Sequence, residues 1–150
     1  MNNLEIYEKA REVPKEAQKT ITGGRLNGFT DINPMWRIKK LTELFGPCGV
    51  GWYTEVLKQW HEASTDGRVA AFCNINLYVK IDGEWSKPIF GTGGSMFVDI
   101  EKSNPRASDE CFKMAYTDAL SVACKSLGIG ADVYWGKNKT KYDGKSNSDE

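Results

Sequence analysis

The chain has 150 residues, 40% of them hydrophobic and 27% charged, with 20 basic side chains balanced by 20 acidic ones. That length suits one domain with a real core, and a formal charge of zero excludes a uniformly cationic coat for nucleic acid. A local basic groove stays open, because only the charges facing a ligand act on it.

Cys48, Cys73, Cys111 and Cys124 are scattered without a C-x-x-C pair, and the N-terminus has no signal-like stretch. Both features point to reduced thiols in a cytosolic protein. No apolar run approaches the roughly 20 residues of a membrane span. His61 is the one histidine, which excludes a multi-histidine metal site within the chain, and the cysteines lack zinc-ligand spacing. No metal and no cofactor is therefore expected.

In chain order, residues 2–19 read as a charged, weakly amphipathic helix interrupted near Pro14. The glycine-punctuated stretch "TITGGRLNGFTDINP" reads as a loop with one short strand. Pro34 then opens a helix in which Met35, Ile38, Leu41, Thr42 and Phe45 recur at helical spacing, with Gly46 as its stop. "GVGWYTEVLKQW" is aromatic and β-branched and predicts a strand, followed by a turn over "HEASTDGR" that includes His61. From Phe72 the pattern alternates. Phe72, Asn74, Asn76 and Tyr78 face one way, and Cys73, Ile75, Leu77 and Val79 the other.

Asp82-Gly83 predicts a second hairpin turn into a third strand, "EWSKPIFGTGGSMFVDI", where Pro88 and the glycines suggest an edge, bend or bulge. "EKSNPRA" reads as a polar loop. A final helix follows, with Ser108 as cap, Asp109 and Glu110 in its first turn, and Gly128 as its end. Its apolar face carries Ala115, Ala119 and Ala123 four residues apart, a ridge low enough to lie close on a sheet. The fold expected is α+β: a three-stranded antiparallel β-meander packed by a C-terminal helix (β-β-β-α), preceded by N-terminal helices. Residues 1–19 form an N-terminal helical segment, 20–135 the main domain, and 136–150 a polar, disordered tail.

Catalytic constellations are not evident. "GTGGS" lacks the Lys-Ser or Lys-Thr and the following helix that a phosphate loop needs. Asp31, Asp82, Asp99, Asp109 and Asp118 have no paired-carboxylate spacing, and Asp118 reads as solvated or structurally hydrogen-bonded. The reading is not an enzyme. Five tryptophans and six tyrosines could stack on unpaired bases, although core or subunit-interface roles are favoured for Trp52, Trp85 and Trp135. Among the cations, Arg25 lies in the glycine-flanked "GGRLNG", Arg68 follows a turn, Lys102 precedes the last helix, and Lys113 and Lys125 lie on it. Each taken singly is an ordinary solvated charge.

Taken together, "ELFG", "GWYTEV", "DGRVAAF", a further "DG" and above all "AYTDALSVACKSLGIG" resemble the annealing domain of the Rad-fifty-two recombination proteins. "GGRLNGFTDINPMWRIKKLTELFGPCGVGWYTEV" is closer still to phage-encoded relatives. The resemblance covers roughly residues 20–135. It implies a homo-oligomeric ring that binds single-stranded DNA in a basic groove and anneals complementary strands without ATP, in phage recombination and in the host-cell cytoplasm. A single-strand binding protein is a further partner it suggests.

Carried over by position, Arg25 and Lys125 match the inner DNA groove, with Lys113 a weaker addition on the same helix. Arg68 and Lys102 match an outer site. The family's adjacent basic pair is replaced here by Ser121 and Val122, which makes the groove less positive. An RNA-binding module and an oligomeric protein-interaction scaffold are the alternatives left open by the residues themselves.

Overall fold

The computed structural model describes residues 1–101 and 104–137. The chain folds as two compact units, one formed by residues 1–40 with the chain from Leu127 onward, the other by Leu41–Ser126.

The first unit begins with a short helix, α1 (Glu5–Ala10), and a single 3₁₀ turn at Lys15–Ala17 beyond Pro14. The interruption expected at Pro14 is present, since proline lacks the N–H that a continuing helix needs. Two strands follow where one was expected: β1 (Gln18–Thr20) pairs antiparallel with β2 (Thr30–Ile32). Gly23, Gly24 and Gly28 hold positive φ in the loop between them, and the Gly23 N–H donates to Asn27 Oδ1 at 2.7 Å. Val13, Ala17, Ile32 and Val133 make a small core, against which Trp36 and Tyr134 pack. The returning chain is pinned there by hydrogen bonds. The Gly130 N–H donates to the Ala10 carbonyl at 2.9 Å, and Arg11 Nε to Asp132 Oδ1 at 2.7 Å. Gly128 has φ +87°, and a Cβ on it would come within 2.5 Å of the Tyr7 ring, so glycine is required there on both counts.

Helix α2 (Pro34–Phe45) has the bounds expected from Pro34 and Gly46. Its buried side is rotated from the expected stripe. Arg37 and Leu41 are buried, whereas Met35 is 65% exposed. Arg37 Nη2 donates to the Tyr134 hydroxyl at 2.8 Å and Nη1 reaches the Ile32 carbonyl at 3.5 Å. A long guanidinium stem thus takes the place that periodicity assigns to an apolar side chain.

The second unit is a sheet with one helix on it. β3 (Trp52–Ala63), β4 (Val69–Ile81), β6 (Ile89–Glu101) and β7 (Asn104–Ala107) lie in the order β3-β4-β6-β7, all antiparallel, and β5 (Glu84–Trp85) pairs with the end of β4. The α+β architecture with an antiparallel sheet is as expected, but the sheet is not a plain three-stranded meander: β5 intervenes between β4 and β6, and "NPRA" pairs with Val98–Glu101 instead of forming a loop. β6 is therefore not an edge strand along its C-terminal part. His61 also departs from expectation. It lies within β3 opposite Ala71, and only residues 64–68 form the turn. At Asp82 (φ 52°) and Gly83 (φ 79°) the second hairpin turn forms as expected.

The alternation expected in β4 is observed. Ala71, Cys73, Ile75, Leu77 and Val79 are buried, and Phe72, Asn74, Asn76 and Tyr78 lie half-buried on the opposite face. Helix α3 (Cys111–Lys125) covers the buried face. Ser108 sits two residues before its N-cap, Glu110, and accepts the Glu110 N–H at 3.2 Å rather than capping the first turn itself.

The alanine ridge of α3 meets "GTGGS". A Cβ on Gly91 would fall well under 3.0 Å from the Ala119 carbonyl, and one on Gly93 equally close to backbone atoms of Ala115 and Ala119. Those glycines mark neither a bend nor a phosphate loop. They form a seat in a regular strand that lets the helix backbone approach the sheet. The Asp118 carboxylate, on the same helix, accepts the Gly94 N–H at 3.0 Å, a structural hydrogen bond at the strand's open side.

Candidate nucleic-acid interface

The cations singled out by sequence fall in both units. Arg25, in the first unit, stands exposed in the β1–β2 loop with no ion pair among the described residues. Lys102 lies outside the described residues. The other three belong to the second unit, where α3 runs antiparallel to β6: Met114 lies beside Ser95, while Ala123 lies beside Gly91. Lys113, near the start of α3, is therefore toward the end of the sheet that carries the β3–β4 turn and Arg68. Lys125, exposed in the last turn, is toward the other end, about 18 Å along the helix axis from Lys113.

Their electrostatic situations differ. Lys113 pairs with Glu110 at 3.4 Å on an exposed surface, a contact worth well under 1 kcal/mol. Arg68 is held from two sides, by Asp66 within its own turn and by Asp99 of β6 at 3.1 Å. Hydrogen bonds from the Ser64 hydroxyl and from the Arg68 backbone and guanidinium hold the Asp66 carboxyl down, from 3.8 to about 2, and Asp66 and Asp99 raise the guanidinium in return. Arg68 thus has its charge answered within the fold, which weakens it as a phosphate ligand. Ser121 is buried and donates its hydroxyl to the Asp118 carbonyl at 2.7 Å. A cation at that position would point into packing rather than solvent.

Arg68 also provides a test. A carboxyl with a lowered folded pKa contributes stability above its unfolded value and loses it as pH falls through the folded one. The stability that the Asp66 carboxylate lends the turn at residues 64–68 is therefore expected to be full above pH 3.8 and to be lost as pH falls through about 2. Carboxyl chemical shifts through an acid titration measure this, and an Asp66 midpoint near 3.8 would show that the hydrogen bonds from Ser64 and Arg68 do not hold it.

Aromatic side chains that the sequence offered only as a group, without placing them at a DNA site, lie on the sheet face opposite α3. Tyr53 and Tyr78 stack at 4.9 Å, Trp85 meets Tyr53 edge-on, and Trp60 packs on Phe72 at 5.4 Å. Lys58 stands over the Trp60 ring at 4.7 Å and Lys80 over Trp85 at 5.5 Å. The signal for the β4 half was the alternation itself. In β3 a register shift between Val56 and Lys58 breaks the period, so Tyr53 and Trp60 come to share a face that strict alternation would deny them. Of the three tryptophans favoured as core or subunit-interface residues, Trp52 is core, and Trp85 and Trp135 are exposed on the single chain.

No group of three His, Cys, Asp or Glu side chains among the described residues could hold a metal ion, and no described helix is long and apolar enough to cross a membrane. Compared with known proteins, the chain matches no family model and has no significant match among curated sequences.

Proposed function

We propose that this chain is a non-enzymatic, self-assembling protein that binds single-stranded DNA and anneals complementary strands, in the manner of the Rad-fifty-two annealing proteins it resembles, and that it serves phage recombination. The observation that carries the reading is the second unit. The stretch bearing the strongest resemblance, "AYTDALSVACKSLGIG", supplies most of α3, and its alanines sit on the glycines of the third long strand of an antiparallel sheet. An antiparallel sheet covered by the helix that follows it supports the β-β-β-α arrangement that the resemblance implies.

Two further features support it. Among the described residues β3 has an unpaired edge beyond Trp52, and β6 has one over residues 89–96 apart from the Gly94 N–H that Asp118 holds. Two unlike edges on one unit favour head-to-tail pairing of copies, which closes as a ring or continues as a helix. Arg25 and Lys125 are exposed cations. Repeated around an assembly, a few such charges make a continuous track despite a net charge of zero.

The mechanism is physical. Cations neutralise phosphates and reduce the repulsion between two strands, an extended strand lowers the entropy cost of finding register, and base pairing selects the partner. Phosphate contacts carry no sequence information, so binding is sequence-tolerant and falls steeply with salt.

The test is annealing of complementary labelled oligonucleotides without ATP or metal ion. The protein is expected to accelerate it at low salt and lose the effect as salt rises. Absence of acceleration at every salt concentration overturns the reading. Preference for duplex RNA in competition would indicate an RNA-binding module, and assembly without any nucleic-acid binding would indicate a scaffold.

A further inference from the structure

We propose that the sheet face opposite α3 is a stacking platform for unpaired bases of single-stranded DNA, with one seat at Trp60 and Phe72 and another at Tyr53, Tyr78 and Trp85. The proposal rests on the single-stranded DNA reading and gives it a second contact surface, made of rings rather than a basic groove.

The geometry points there from several sides. Tyr53 lies directly across from Tyr78, and Trp60 directly across from Phe72, in the β3–β4 register. Phe72 and Tyr78 are six residues apart on one strand, so both pairs share a face and their centres are separated by roughly 20 Å. At the first seat, Trp60 and Phe72 help line a shallow depression of about 440 Å³. The ring of Phe72 lies against Gly94, where a Cβ would come within 3.1 Å of it. At the second seat Tyr53 is 38% and Trp85 40% exposed. Between the seats Asn74 and Asn76 present side-chain amides, which can donate to and accept from base edges.

Charge and composition select the occupant. Lys58 and Lys80 each lie over a tryptophan ring. A base taking that ring face would displace an ammonium already within reach of the base's own phosphate, exchanging a cation–π contact for an ionic one. A buried contact between copies is depleted in lysine, and from Phe72 to Lys80 this face of β4 contains no aliphatic side chain. Two carboxylates share the face: Glu55 accepts from the Tyr78 hydroxyl at 3.3 Å and Glu62 from Trp60 Nε1 at 3.2 Å. They oppose a continuous phosphate track, so the bases rather than the backbone provide the main hold here.

The test titrates wild-type protein, followed by tryptophan fluorescence, with oligodeoxythymidine and with an abasic oligonucleotide of equal length and phosphate number. Thymidine is expected to quench the tryptophans and to bind roughly tenfold or more tightly than the abasic strand. Equal affinity for the two overturns the platform and leaves the annealing reading standing, whereas binding to neither overturns both. Trp60→Leu is expected to weaken thymidine binding roughly tenfold.

Should that variant fold poorly, Lys58→Gln with Lys80→Gln keeps every ring and is expected to lower the salt slope by roughly 1.4. An unchanged slope in that variant overturns the proposal. So does unchanged affinity in folded Trp60→Leu. A changed sedimenting mass with unchanged DNA affinity also overturns it and marks the face as a contact between copies. Tighter binding of oligouridine than of oligodeoxythymidine overturns the DNA assignment in favour of RNA.

Discussion

Gly93→Ala is expected to cost about 3 kcal/mol or more of folding stability, while Gly94→Ala, one residue along the same strand, costs less than about 1 kcal/mol. The two glycines have the same intrinsic propensity but face opposite sides of β6. A Cβ on Gly93 would lie well under 3.0 Å from the Ala119 nitrogen and the Ala115 carbonyl, which are backbone atoms of α3. They cannot rotate away, so the helix must lift from the sheet along its alanine ridge and loosen Ala115, Ala119 and Cys111, all now buried. A Cβ on Gly94 meets the Phe72 ring at 3.1 Å, on the open face, where the ring can tilt, and the Ala71 carbonyl at an ordinary contact distance of 3.5 Å.

Urea midpoints of the two variants decide the matter, and similar shifts in both would show that the helix does not sit where described. Rescue separates the alternatives further. Because the obstruction is backbone, Ala119→Gly is expected not to restore Gly93→Ala.

Arg25→Glu combined with Lys125→Glu is expected to leave the fold intact and to abolish annealing. Both side chains are exposed, so neither reversal opens a cavity. Each phosphate contact removed lowers the salt slope by about 0.7 for a single strand, and in an assembly the loss recurs in every subunit that the strand crosses. Lys125 occupies the last turn of α3, where a cation complements the helix dipole. Reversal there carries its own cost of about 0.3–1 kcal/mol, and Lys125→Gln separates that effect from the loss of phosphate contact. Circular dichroism and a denaturation midpoint establish that the double variant is folded. Annealing at the wild-type rate by such a protein would remove both residues from the site.

Much of the architecture was legible locally. Pro34 and Gly46 bracket α2, Asp82-Gly83 turns the second hairpin, and alternation sorts β4 into a buried and an open face. β7 was not legible. A four-residue strand containing Pro105 is a strand only because β6 lies beside it to accept and donate. The buried side of α2 was misassigned for a related reason. Arg37 is buried because the Tyr134 hydroxyl, 97 residues away, meets its guanidinium.

The candidate site was less legible than the fold. Arg68 looked like a free cation although Asp66 stands two residues away, and the second carboxylate that answers it, Asp99, arrives from another strand. The aromatic platform was half visible in β4 and hidden in β3 by the register shift at Val56 and Lys58.

Local pattern was enough for the bounds of α2, the two glycine turns, the faces of β4 and the small ridge of α3, since each depends on periodicity or on the dihedral freedom of one residue. Long-range packing settled that Gly91 and Gly93 seat that ridge, that Asp99 joins Asp66 on Arg68, and that two aromatic pairs share an open face. Those outcomes depend on which atoms long-range strand pairing brings within a few ångströms, and neither contact distance nor local charge balance is written in spacing along the chain.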